Sequence, residues 1–423
     1  MSVGEEKDVF GVVVSRCASE AGGRRAVHDR RRQLWWVVVV LWMLAPGAVQ
    51  AQESSRQPTA EEASVTEAPP PASQVGAMLG GAEYMLILDR PFAAEKLFNG
   101  VLAMDPKNAH ARDGLRRAKL AKRTSWIFLA HTFGNHYGTE LEAYGGGPSL
   151  YTPQGKFTFW VGDGFFRSGG ATLRKVTLNW FWDTYYKNFD GYAYINRTFY
   201  PDAPDRTLYD FKGTWNRRPG REYYSVFGGQ HDSFLQNDVT QFFAPESLGM
   251  VEQKILIHNI GAEAQIPLGK PIDFIPYYSE YYYTDNNQRH IAQGKLMYRV
   301  LPRGEAKMPI FRIGAMYLSD SCKFGSGIYN CPVNFHSVSV NSDFVIVTGK
   351  YRFGVFAQYP ITGTSGDGQF PFNGRFDPAE TLYSFVNYKV RESQEVWLKF
   401  LGAHSAGFSP SAFDVVVGTT VRF

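Results

Sequence analysis

The chain has 423 residues, with 44 Lys and Arg against 40 Asp and Glu, a formal net charge of +4, and only 20% charged residues. Hydrophobic residues make up 44% and aromatics 15% (9 Trp, 24 Tyr, 32 Phe), yet the mean hydropathy is -0.27. Those figures exclude a bundle of membrane helices, a collagen, a coiled coil and wholesale disorder, and a charge so near balance gives no reason to expect a nucleic-acid partner. An all-β chain that turns apolar and aromatic residues toward lipid and polar residues inward fits the mixture.

The first apolar run is Leu34 to Pro46, preceded by Arg30, Arg31 and Arg32 and followed by Gly47-Ala48-Val49-Gln50-Ala51. A basic start, a short apolar centre and a small-residue cleavage site describe a secretory signal peptide over 1–51. The run is too short to span a bilayer as a helix. The mature chain is expected to begin near Gln52, and the long stretch before the arginines suggests a start codon set too far upstream. Cys17 would leave with the signal. Cys322 and Cys331 remain, nine apart with Gly325 and Gly327 between them, and in an oxidising compartment they predict a disulfide closing a loop. No other Cys or clustered His supports a metal pair, so neither metal nor cofactor is expected.

Residues 52–76 are rich in Pro, Glu, Ser and Ala, with almost no large apolar side chain, and predict a disordered linker. From 77 to 123 the period turns helical. Met78, Ala82, Met85 and Leu86 recur at helical intervals, and Ala94, Leu97, Phe98, Val101 and Leu102 repeat the pattern. Pro91 and Pro106 punctuate the runs, Asn108 is placed to cap the third, and Ala111 to Lys122 is basic on one face. Ala94, Phe98, Val101 and Pro106 resemble the small, aromatic, apolar and proline positions of a tetratricopeptide repeat, without that repeat's early Trp and Tyr. A plain helical hairpin packed on a barrel mouth is the alternative.

From residue 124 to 423 the period is two. Lys175, Thr177, Asn179 and Asp183 alternate with Val176, Leu178, Trp180 and Trp182; Asp210 and Lys212 alternate with Tyr209 and Phe211. Glu263 and Gln265 alternate with Ala262, Ala264 and Ile266, and Lys295 and Arg299 with Leu296, Tyr298 and Val300. A soluble sandwich could alternate in the same way. Persistence to the C-terminus in strands of ten or more residues favours a membrane-spanning barrel, whose tilted strands need about nine to eleven residues. In the last strand Phe413, Val415, Val417, Thr419, Val421 and Phe423 share one face, while Asp414, Gly418, Thr420 and Arg422 share the other. A chain ending on such a strand with Phe423 resembles Gram-negative outer-membrane barrels, which implies that Phe423 is the signal read by the barrel assembly machinery.

Bacterial barrels have even strand counts with short periplasmic turns and longer external loops. Counting back from Phe423 makes 391–394, 348–350, 268–273 and 217–221 short periplasmic turns, and 363–380, 322–331 and 233–253 external loops. The expected architecture is an all-β transmembrane antiparallel barrel of sixteen strands (fourteen as the alternative) preceded by a short α-helical hairpin. The last strand pair in the count comes from Ser125 to Thr132 and Thr139 to Tyr144. The lumen-facing candidates for a substrate pathway are Lys175, Asp183, Asp210, Lys212, Glu263, Lys295, Arg299, Arg312, Lys389, Glu395, Lys399 and Arg422, with Asp414 on the same face. They form either a conduit that guides a polar solute or an internal ion-paired filling.

Catalysis is the weaker class. His131, His136, His231, His258, His290, His336 and His404 lie in the barrel region, and His231-Asp232-Ser233 is the tightest grouping. Neighbouring strand residues face opposite sides, so that tripeptide forms no relay alone, and no enzyme is expected.

A helical repeat segment followed by a C-terminal barrel resembles outer-membrane exopolysaccharide export porins, as does the run Tyr277-Tyr278-Ser279-Glu280-Tyr281-Tyr282-Tyr283, which otherwise reads as an interfacial belt. The resemblance implies export of a polysaccharide or other polar polymer, with residues 77–123 in the periplasm meeting biosynthesis proteins. The repeat region is much shorter than in those exporters. A general solute porin and a surface lipoprotein translocation factor share the layout and stand as alternatives. Outer-membrane lipid and the barrel assembly machinery are the other expected partners.

Overall fold

A computed structural model describes residues 71–423 except 88, 136–139, 169, 187, 219–220, 232–247, 270, 301–309, 327, 330, 348–350, 365, 368–374, 377–379 and 405–411. The signal peptide and most of the predicted linker lie outside the described residues. The helices and the barrel belong to one unit.

Three helices come first: α1 (Pro71–Ile87), α2 (Pro91–Met104) and α3 (Ala109–Ala121). The first begins within the stretch read as linker. Pro91 opens α2, where its missing N–H costs nothing, and Asn108 caps α3 by accepting from the Ala111 N–H at 3.0 Å. Ala82, Ala94, Phe98, Val101, Ala111 and Ala118 are fully buried between the helices. Gly114 allows the α2–α3 contact, because a Cβ there would lie 2.3 Å from the Phe98 ring.

The rest is strand: β1 (Ser125–Asn135), β2 (Glu140–Thr152), β3 (Gly155–Ser168), β4 (Ala171–Tyr186), β5 (Phe189–Tyr200), β6 (Ala203–Arg218) and β7 (Glu222–His231). A short helix α4 (Leu248–Glu252) follows, then β8 (Ile257–Pro267), β9 (Ile272–Tyr283), β10 (Gln288–Arg299), β11 (Ile310–Cys322), β12 (Phe335–Val347) and β13 (Tyr351–Thr364). β14 (Gly366–Asp367) and β15 (Arg375–Phe376) make a small separate hairpin, and β16 (Glu380–Arg391), β17 (Gln394–His404) and β18 (Ala412–Arg422) complete the series. Sixteen of these strands pair antiparallel in chain order around a closed barrel, and β1 meets β18 with Ser125 opposite Arg422 and Asn135 opposite Ala412. Closure leaves no unpaired edge, which is what a sheet needs in hydrocarbon. The additional strand pair proves to be β1 and β2, both longer than the sequence indicated.

Alternation sorts the side chains. Outward positions hold exposed aromatics near both ends of the barrel. Trp126, Phe157, Trp182, Trp215 and Tyr388 lie toward the end where β1 begins and β18 finishes, here the terminal end. Phe165, Phe199, Tyr282 and Phe413 lie toward the other, the loop end. Two aromatic belts around an apolar band are the pattern of a barrel in lipid.

The inner wall differs from the expectation that aromatics point to lipid. Trp160, Phe166, Tyr194, Tyr200 and Trp397 are buried inside. Trp397 rests on Gly418 of the next strand, where a Cβ would come within 2.1 Å of its ring. The tyrosine run splits by parity: Tyr278 and Tyr282 are exposed, whereas Tyr277, Tyr281 and Tyr283 face inward, with the Tyr277 and Tyr281 hydroxyls 3.1 Å apart.

Candidate functional site: the lumen and its two closures

All twelve charged residues singled out from the sequence lie on the inward parity of their strands, but the structure groups them unequally. Near the terminal end Arg299 donates to Asp273 (Nε–Oδ2 2.6 Å), and Arg312 donates to Asp343 at 2.5 Å and to Gln265 at 3.2 Å. Asp273 is fully buried. Lys212 pairs with Glu263 across β6–β8. Asp210 accepts from the Tyr192 hydroxyl at 2.8 Å, and Glu395 accepts from Asn387 at 3.0 Å with Arg422 3.9 Å away. Lys399 lies 5.5 Å over the Trp397 ring. Lys175 is buried at 1% exposure on β4. Lys295, Lys389 and Asp183 make no ion pair among the described residues.

Sequence reasoning missed Arg206, Arg289, Asp273, Asp320, Asp343 and Arg352, which share the inward parity. Arg289 and Asp320 form a buried bidentate pair at 2.5 and 2.6 Å near the loop end. Such pairs span neighbouring strands about thirty residues apart in sequence, and local alternation carries no trace of them. Asp414 accepts from His131 Nε2 (2.7 Å) on the inner face of β1–β18. His231 contacts Asn259 at 3.0 Å; its chain neighbours Asp232 and Ser233 lie outside the described residues, as does His136. Among the described residues no three His, Cys, Asp or Glu cluster as a metal site.

Both ends of the lumen are obstructed by the chain itself. At the loop end α4, in the described part of the β7–β8 connection, lies inward. Val251 and Leu248 of α4 pack into an apolar cluster with Leu129, Phe133, Leu141, Trp160, Phe166 and Val416 from the inner face of β1–β3 and β18. The next residue round, Met250, joins Ile255, Ile257, Tyr283 and Tyr329 beside the Cys322–Cys331 disulfide on the β8–β12 side. α4 therefore lies across the lumen. The Arg206 guanidinium holds it by donating to the carbonyls of Ile255 (3.1 Å) and Met250. This accounts for the inward aromatics: a plug with apolar faces needs apolar walls.

At the terminal end the α1–α2 corner enters the mouth. Asp89 sits at a φ of 57°, a left-handed conformation that Asp tolerates better than most residues. Its carboxylate accepts from the Tyr151 hydroxyl (2.8 and 2.9 Å) and from Lys156 Nζ (3.1 Å). Arg90 pairs with Asp190 and lies 5.1 Å over the Tyr185 ring. A polar cleft of about 220 Å³ remains there, lined by Asp89, Arg90, Lys156, Asp183, Asp190 and Lys212 among others. Farther round the rim Arg116 of α3 pairs with Glu392 in the β16–β17 turn, and that hydrogen bond holds the Glu392 carboxyl below the usual carboxylate range.

No family model and no curated protein matches the sequence. The fold is similar to that of a solved bacterial polysaccharide outer membrane secretin, at 9% identity over 71% of this chain and 99% of that one, with a TM-score of 0.50. It is also similar to OccK11 (OpdR) of Pseudomonas aeruginosa, at 11% identity over 71% and 95% of the two chains with a TM-score of 0.36. CdiB from Acinetobacter baumannii gives 11%, 71%, 60% and 0.39. At these identities the likeness is one of fold, and the fold is the closed antiparallel barrel of outer-membrane proteins.

Proposed function

We propose that this chain is an outer-membrane conduit that passes a polysaccharide or other polar polymer outward. Its helical segment would stand in the periplasm. The observation that carries the reading is a charged inner wall closed at each end by the chain's own elements: the Asp89–Arg90 corner at one mouth and α4 at the other. An unspecific sieve has no use for two closures. A conduit that opens only for one passenger has. Loop length supports that orientation: the longest connections, β7–β8, β13–β16 and β11–β12, all lie at the loop end, and every terminal-end connection except β10–β11 is a short turn, the arrangement of external and periplasmic sides in bacterial barrels. No catalytic step is assigned.

The same reading gives the helical segment its tetratricopeptide-like adaptor role. A cleft of about 540 Å³ between α3 and the β16–β17 turn, lined by Arg112, Leu115, Lys119, Leu120, Arg123 and the Arg116–Glu392 pair, supports docking of a biosynthesis protein there. Phe423, exposed at the end of β18, serves the assembly machinery, and Lys175, Lys399 and the ion-paired residues form the wall of the path. The test is efflux. Proteoliposomes loaded with a labelled oligosaccharide and carrying a variant with Asp89→Ala, Arg90→Ala, Met250→Ser and Val251→Ser should release it, and intact protein should retain it. A variant barrel that folds and retains the sugar as tightly as empty liposomes contradicts the reading.

A further inference from the structure

The inner wall is electrically lopsided. On β1–β9 the inward parity carries four Lys or Arg against five carboxylates; on β10–β18 it carries eight against four. The four carboxylates on the second half are all engaged: Asp320 by Arg289, Asp343 by Arg312, Asp414 by His131, and Glu395 by Asn387 and Arg422. Three of the cations are not. Lys295, Arg352 and Lys389 make no ion pair among the described residues, and the Arg352 guanidinium instead lies 5.2 Å over the Phe385 ring. Phe385 belongs to an inward cluster with Phe356 and Tyr383, ring centroids 5.7 to 6.3 Å apart, on the same two strands as Arg352 and Lys389.

Aromatic faces interleaved with cations that make no ion pair among the described residues suit one kind of passenger. Sugar rings present an apolar face to an aromatic ring, and carboxylates on those sugars would supply the charge that this wall lacks. A polycation would meet repulsion on β10–β18 and find the carboxylates already paired. Confinement in a narrow low-dielectric channel enlarges such differences. We infer that the passenger is an anionic, uronate-type polysaccharide, recognised along β10–β17 by Lys295, Arg352 and Lys389 with the Phe356–Tyr383–Phe385 cluster. The inference rests on the conduit reading and adds the sign of the polymer's charge.

Equilibrium binding tests it separately from transport. The purified full chain in detergent, with its closures released by Asp89→Ala, Arg90→Ala, Met250→Ser and Val251→Ser, is titrated with oligogalacturonate, with a neutral dextran oligomer and with a chitosan oligomer of equal length, following tryptophan fluorescence and calorimetry. Oligogalacturonate is expected to bind at least ~10-fold more tightly than either of the others, and the preference should fall as salt is raised. The combined substitution Lys295→Gln, Arg352→Gln and Lys389→Gln should abolish that preference. A charge-retaining set, Lys295→Arg, Arg352→Lys and Lys389→Arg, should keep it. Chitosan or dextran binding as tightly as oligogalacturonate overturns the inference, as does full binding by the neutralised variant. The two readings fail separately: anion binding by a chain that never releases sugar from proteoliposomes sinks only the conduit, and release without anion preference sinks only this inference.

Discussion

Releasing the α1–α2 corner should unlatch the terminal mouth. The perturbation is the double substitution Asp89→Ala and Arg90→Ala. It removes the Tyr151 and Lys156 contacts of Asp89, the Arg90–Asp190 pair, and the stacking of Arg90 on Tyr185. Asp89 is 47% exposed and Asp190 36%, so the two ion pairs are screened and contribute about 0.5–1 kcal/mol each. The cation–π contact adds about 0.5–1 kcal/mol. Alanine at a φ of 57° adds about 1 kcal/mol of backbone strain that Asp partly avoids. Together these come to about 3 kcal/mol, or roughly a hundredfold rise in the undocked population. Limited proteolysis and amide exchange across residues 77–123 read that population directly. Faster cleavage and exchange confined to the helices and the β2–β5 turns, with the barrel still folded, is the expected result. Unchanged protection in the double variant would refute the latch. Asp89→Asn should show only part of the effect, because it keeps the tyrosine contact and tolerates the left-handed backbone.

Other consequences can be checked in parallel. Removing the nearer partner of the fully buried Asp273 carboxylate by Arg299→Gln leaves it only Arg312, 3.9 Å away, and should cost up to about 3 kcal/mol in urea unfolding; the double change of Arg299 and Asp273 to Met and Leu should recover most of it. Gly418→Val forces a Cβ into the Trp397 ring and should cost about 1–3 kcal/mol, lowering the temperature at which the folded band is lost in gel-shift assays. Reducing Cys322–Cys331, or replacing both with Ser, should loosen the loop that backs α4 by about 2–3 kcal/mol and raise its amide exchange, while the strands at the terminal end stay protected. The Arg116–Glu392 contact depends on an ionised Glu392 whose folded pKa is depressed. It is therefore present in full above the ordinary Glu value and lost as pH falls through the lower folded value, so cleavage within α3 should rise in acid below about pH 4 and not in alkali.

Much of this architecture is legible in the sequence because one solvent is hydrocarbon. Leu296, Tyr298 and Val300 must face lipid if Lys295 and Arg299 face the lumen, and a slip of one residue would exchange every pair. That constraint fixes the alternation and, through parity, the closed sixteen-stranded sheet. The plug was not legible. Leu248 to Glu252 sits in a stretch read as an external loop, and only the folded chain carries it inward to meet Trp160 and Phe166. Those two residues obey the period yet break the rule that inward means polar, because part of the lumen faces protein rather than water. The Asp89 latch escapes for a related reason: its partners Tyr151, Lys156 and Asp190 lie 60 to 100 residues away, and no local pattern marks a corner that docks across a mouth.

Single-channel recording in planar bilayers tests the central claim most directly. Intact protein should insert and stay closed or conduct weakly, while the chain carrying Asp89→Ala, Arg90→Ala, Met250→Ser and Val251→Ser should give large, long-lived steps. Insertion of the quadruple variant with no rise in conductance over the intact chain would contradict a conduit closed at both ends by its own elements.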